Sequence, residues 1–75
     1  MCLGVPMQIV ALGEGDLAVA ETLGVRRTIS VALLLEPPKA GDWVMVHTGF
    51  ALEKLEYEEA QEILTLLEEV GRAGG

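Results

Sequence analysis

Trp43-Val44-Met45-Val46-His47-Thr48-Gly49-Phe50-Ala51-Leu52 decides the fold. Trp43, Met45 and His47 alternate with Val44 and Val46, the period of a strand with one face buried. Gly49 permits a sharp bend, and Phe50 to Leu52 then run back. If the two valines face a core, His47 faces outward beside an indole and a thioether.

Upstream, the same period recurs. Pro6 to Leu12 reads as a short strand, Gly13-Glu14-Gly15-Asp16 as a tight turn, and Leu17 to Glu21 as its return strand. Gly24 punctuates again. Val25 to Leu35 alternates throughout and is β-branched enough to be expected as one strand. Glu36-Pro37-Pro38-Lys39-Ala40-Gly41-Asp42 must be a loop, because two prolines and a glycine forbid a regular ladder. Four or five short strands at this spacing predict a small closed or nearly closed β-barrel over about residues 1–52.

Past Leu55 the period changes. Ala60, Ile63, Leu64, Leu67 and Val70 fall on one helical stripe, with Glu58, Glu62 and Glu69 opposite. A helix over about 56–70 is predicted to pack on the barrel and to end at Gly71. The expected fold is therefore mainly β, a small OB-like β-barrel with a C-terminal α-helix, in one domain spanning 1–75. Trp43 and Phe50 are expected in its core or wall.

The 75 residues are 51% hydrophobic but only 4% aromatic, so an aliphatic core has to hold the fold. The net charge is −7, and seven of the twelve acids lie between Glu53 and Glu69. Such a surface repels a phosphate backbone, and three aromatic residues offer few stacking platforms, so no nucleic-acid partner is expected. The longest apolar run, Val31 to Leu35, is far too short to span a membrane, and no basic residue precedes Arg26. A free thiol without an export signal points to the cytoplasm.

That thiol is Cys2, the single cysteine. With the initiator methionine removed, the chain would begin with a free α-amine and a thiol on one residue. The neighbouring ammonium favours the thiolate, which suits either a nucleophile or a soft metal ligand. His47, the single histidine, could serve as a second ligand or as the base of a thiolate–imidazolium dyad. One Cys and one His cannot supply the four ligands of a structural zinc site. Pro6 stiffens the segment that bears Cys2, and Gly4 leaves room for close approach. Two functional classes follow: a metal-handling scaffold, or a small thiol enzyme with Cys2 as N-terminal nucleophile and His47 as base.

Two segments resemble one family. Met1-Cys2-Leu3-Gly4-Val5-Pro6 is similar to the N-terminal signature of the HypC (HupF/HypC) chaperones of NiFe-hydrogenase maturation. Gly41-Asp42-Trp43-Val44-Met45-Val46-His47-Thr48-Gly49-Phe50-Ala51 resembles their second signature, and Glu59-Ala60 fits as well. The resemblance covers essentially the whole chain. Met7 departs from it where glycine is frequent, and Thr48 where valine often stands. It implies a non-enzymatic chaperone with an OB-like barrel that binds HypD while an iron centre with two cyanides and one carbon monoxide is assembled. It further implies delivery of that iron group to the precursor of the hydrogenase large subunit. The family's essential cysteine corresponds to Cys2 and its important histidine to His47, so both are expected at the iron. Partner contact is expected through Cys2, Leu3, Gly4, Val5 and Pro6.

Overall fold

Five strands and a helix follow one another as Val5–Leu12 (β1), Leu17–Thr22 (β2), Val25–Ser30 (β3), Trp43–His47 (β4), Phe50–Leu55 (β5) and Tyr57–Gly74 (α1). The computed structural model describes residues 4–74, with side chains through residue 69. Antiparallel pairing joins β1 to β2, β2 to β3, β1 to β4 and β4 to β5. A single parallel pair, Ser30 with Phe50, brings β3 to β5 and closes the barrel in the order β1-β2-β3-β5-β4. The expected barrel with a C-terminal helix is what forms.

Alternation along the strands fills the interior. Met7 and Ile9 of β1, Ala18 and Ala20 of β2, Ile29 of β3, Val44 and Val46 of β4 and Ala51 of β5 make one buried cluster. Each larger aliphatic contributes about 1.5–3 kcal/mol, while the three alanines let opposite walls approach in so narrow a barrel. Register shifts between Ile9 and Ala11, and between Met45 and Val46 against β5, mark bulges. Extra residues of this kind bend strands, which a five-stranded closure needs.

Outside the barrel lies a second apolar layer. Pro6 is fully buried although alternation puts it on the face opposite Met7 and Ile9. The helix packs on β1 and β4, burying Ala60 and Leu64, with Ile63 and Leu67 half-buried and Glu58, Glu62 and Glu69 in water. Its start is fixed by Glu59, whose Oε1 accepts from the Glu56 backbone N–H at 3.2 Å, while the Glu56 carbonyl accepts from the Ala60 N–H at 3.0 Å. This is the carboxylate half of a capping box, and Glu58 and Glu59 also suit the positive end of the helix dipole.

Three boundaries differ from those expected. The strand foreseen over Val25 to Leu35 stops at Ser30, because Val31 donates its N–H to the Asp16 carbonyl at 2.7 Å and Leu34 donates back to Val31 at 3.2 Å. The apolar run continues there, but the neighbouring strand does not. The barrel extends past residue 52, since β5 pairs with β4 as far as Leu55. The helix does not stop at Gly71 and runs to Gly74; a glycine late in a helix costs about 1 kcal/mol, too little to end it. Phe50 is not a core residue but 44% exposed. No described helix is long and apolar enough to cross a membrane.

Both two-residue hairpin turns place their central residues at positive φ, 50° and 82° at Leu23-Gly24 and 51° and 86° at Thr48-Gly49. These are type I′ values, which match the strand twist and favour Asn-Gly. Threonine pays for its β-branch in that region. Thr48→Asn is therefore expected to raise the melting temperature by about 4–8 °C, equivalent to about 1 kcal/mol. A lowered value in a thermal melt would instead show that the Thr48 Oγ1 bond to the His47 carbonyl, 2.7 Å, outweighs the backbone cost.

Candidate functional site

The two motif segments, forty residues apart in sequence, become neighbouring strands. Val5 pairs with Val46, Pro6 with Met45, Met7 with Val44 and Gln8 with Trp43. One step further along this register sets Gly4 opposite His47. Sequence spacing gave no reason for that meeting; the barrel's β1–β4 ladder supplies it.

The outward face of this strand pair holds the candidate chemistry. Val44 and Val46 point into the core, as expected, and Trp43, Met45 and His47 alternate with them, each half-buried. The Trp43 ring meets Tyr57 at the start of α1 edge-on, with centroids 6.4 Å apart and planes at 72°. That contact ties the helix to the strand that ends in His47. His47 is the last residue of β4, facing Phe50 across the Thr48-Gly49 turn, so its imidazole sits where the sheet gives way to solvent. Gly4 and His47 are both engaged in polar or ring contacts.

Gly4 explains how closely the N-terminal segment is held. A Cβ added there would lie 2.8 Å from the Val46 carbonyl oxygen and 2.8 Å from the Met45 Sδ. Only a residue without a side chain lets the backbone lie this near β4. Sequence reasoning left Gly4 as room for close approach without saying what approaches; the partner is Met45-Val46, directly beside His47. Val5 is half-exposed and Pro6 buried, so the segment is anchored on its proline and open on its valine. Cys2 and Leu3 lie outside the described residues.

The other end of β4 is braced by charge. The Asp42 carboxylate accepts from the Lys39 backbone N–H at 2.8 Å and lies 3.5 Å from the Lys54 Nζ, which also donates to the Pro37 carbonyl at 3.2 Å. These contacts fold the proline loop back onto β5 and fix the entry to Trp43. They are half-exposed and serve geometry more than stability.

Chemically, the face offers one imidazole and one thioether, with a backbone edge leading two residues back to the cysteine. Among the described residues no group of three or more His, Cys, Asp or Glu side chains gathers as a metal site. A complete ligand cage is therefore not built from the barrel itself, and His47 can supply at most one donor of a set completed from elsewhere.

Comparison with known proteins agrees with both motif segments. The sequence profile of the HupF/HypC family matches residues 1–67. The chain is 41% identical over 70 residues to the hydrogenase maturation factor HypC of Helicobacter hepaticus, covering 93% of this chain and 81% of that protein. It is 49% identical over 72 residues to HypC of Azotobacter chroococcum mcd 1, covering 96% and 84%. It is also 40% identical over 75 residues to the hydrogenase maturation factor HybG of Escherichia coli K12, covering 93% and 92%. With the profile spanning the N-terminal motif, the β4 motif and most of α1, the chain belongs to the HupF/HypC family.

Proposed function

We propose that this chain is a NiFe-hydrogenase maturation chaperone that works as a scaffold and carrier rather than as an enzyme. Its cargo is an iron atom bearing two cyanides and one carbon monoxide, held through the Cys2 thiolate. The observation that carries this reading is the register of β1 on β4, Val5 on Val46, together with the close approach of Gly4 to Met45 and Val46 beside His47. Two peptide units join Cys2 to Gly4, a reach of about 7 Å at most. His47 ends the strand on which β1 pairs, and the relatives' names supply the hydrogenase context.

The donor set suits the cargo. Cyanide and carbonyl are strong-field ligands that keep iron low-spin, and a soft thiolate can hold such a fragment without being oxidised. His47 assists as a second donor or by accepting the proton that the Cys2 thiol gives up. Transfer is thiolate exchange: a cysteine thiolate of the receiving large-subunit precursor forms an Fe–S bond as the Cys2 Fe–S bond breaks, with no change in iron oxidation state. HypD is the partner during assembly, and Cys2, Leu3, Gly4 and Val5 form the contact, while Pro6, expected to share in it, is fully buried and anchors the segment instead. Work between these two proteins places the chain in the cytoplasm.

Co-purification with HypD from a hydrogenase-producing cell, followed by infrared spectroscopy of the complex, tests this directly. Carbonyl and cyanide stretches on a complex containing both chains are expected. A complex free of both bands, or no complex, would sink the proposal.

A further inference from the structure

The leucines that the barrel leaves outside gather at the end of β1 away from Val5. Leu12 and Leu17 flank the first hairpin and are about half-exposed, and Leu35, in the loop between β3 and β4, is fully exposed. With half-buried Val31 and Leu34 they line a groove of about 300 Å³. Leu34 and Leu35 also wall a second groove of about 200 Å³ that reaches exposed Leu52 on β5. The shared wall makes the apolar band continuous.

The groove is built rather than incidental. The Gly13 N–H donates to the Leu17 carbonyl at 2.8 Å, Val31 to Asp16 at 2.7 Å and Leu34 to Val31 at 3.2 Å. Walls fixed in advance lower the ordering cost of binding. Leu35 itself does nothing for the fold, and a cluster of large exposed aliphatics on so small a surface marks a contact region.

Charge selects the occupant. Glu14 and Asp16 stand on the hairpin, Glu36 follows Leu35, and Glu53 borders the second groove. Of the nearby cations, Lys54 is engaged by Asp42 and the Pro37 carbonyl, which leaves Lys39 as the exposed one on the loop. A second copy would bring the same acids to a chain of net charge −7, and an anionic bilayer would be repelled by them.

We propose that this band is a docking groove for a segment of a partner protein that carries two or three large aliphatic side chains flanked by lysine or arginine. Its Leu12 end lies roughly 20 Å along β1 from Val5, while Val31, next to Ser30, and Leu52 on β5 bring its other end close to the Thr48-Gly49 turn. The proposal stands on the groove and its charges and does not depend on the cargo of Cys2.

The test is an NMR titration of the full-length, nitrogen-15-labelled chain with a short blocked leucine–lysine peptide, and with a leucine–glutamate peptide of equal length. The leucine–lysine peptide is expected to shift amides between Leu12 and Leu17 and between Val31 and Leu35, and the acidic peptide to shift none. Leu35→Ser should weaken binding about tenfold, the worth of one buried leucine, at an unchanged melting temperature. Glu36→Lys should weaken it as well. Absence of binding overturns the proposal, as does binding centred on the Glu58–Glu62–Glu69 face of α1 that Leu35→Ser leaves intact. Shifts of the same amides on concentrating the protein alone would assign the groove to a second copy. Shifts on adding phosphatidylglycerol vesicles would assign it to lipid.

Discussion

Cys2→Ala is expected to abolish retention of the iron group and to reduce HypD capture below detection, while leaving the barrel folded. The two effects have one cause. The segment from Gly4 onward is anchored by β1–β4 pairing and by the burial of Pro6, so the fold is held downstream of the substituted position. His47→Gln gives the contrast. An imidazole that only orients the thiolate or takes its proton is worth about 10–100-fold in affinity, so this variant should retain a weakened complex. The order of effects, Cys2→Ala far above His47→Gln with thermal unfolding unchanged in the former, is the signature to measure by pull-down and infrared spectroscopy. A Cys2→Ala protein that still carries cyanide and carbonyl bands would falsify the role assigned to the thiolate.

Gly4→Ala is expected to be the most damaging substitution per atom added. Its methyl would stand 2.8 Å from the Val46 carbonyl oxygen, an atom that cannot move without distorting β4. Overpacking of this kind costs about 1–3 kcal/mol, and a 75-residue chain has roughly 4–11 kcal/mol of stability in all. The melting temperature should fall by about 10 °C. Partner binding should fall too, since the strand that carries the cysteine segment is pushed off the strand that carries His47. Met45→Ala in the same chain relieves the Met45 Sδ contact, also at 2.8 Å, but not the carbonyl. Full rescue by that second change would show that the sulfur, not the backbone, was the obstacle.

Legibility in the sequence followed the physics of each element. β4 was readable because Val44 and Val46 alternate with residues of a different character, and the helix because its apolar stripe is broken by glutamates at the right period. Val31 to Leu35 misled for the same reason that β4 did not. All five residues are apolar, so alternation could not say where the sheet ends; that depends on Val31 finding the Asp16 carbonyl, a contact 15 residues back in the chain. Glu53 and Lys54 hid the length of β5, because an exposed strand face can be as polar as a loop. At the site, the residue types were legible and their meeting was not: Gly4 comes opposite His47 only through the ladder that joins the first strand to the fourth. The apolar band around Leu35 was invisible from sequence, since a leucine in a run of leucines reads as core until a structure shows it in water.

The pairing of Ser30 with Phe50 gives the barrel a line of parting. Four ladders are made of several pairs, and the fifth is one parallel bridge with the Ser30 N–H donating to the Gly49 carbonyl at 2.9 Å. The molecule is thus closer to a three-stranded meander clasped to a hairpin than to a uniform cylinder. Gly49 belongs to the turn that follows His47, so the clasp and the histidine's turn are the same piece of backbone. Whatever grips or loosens that turn acts on the fastening of the whole barrel. A visiting protein at the His47 end therefore has mechanical purchase on the fold, in addition to the chemistry it finds there.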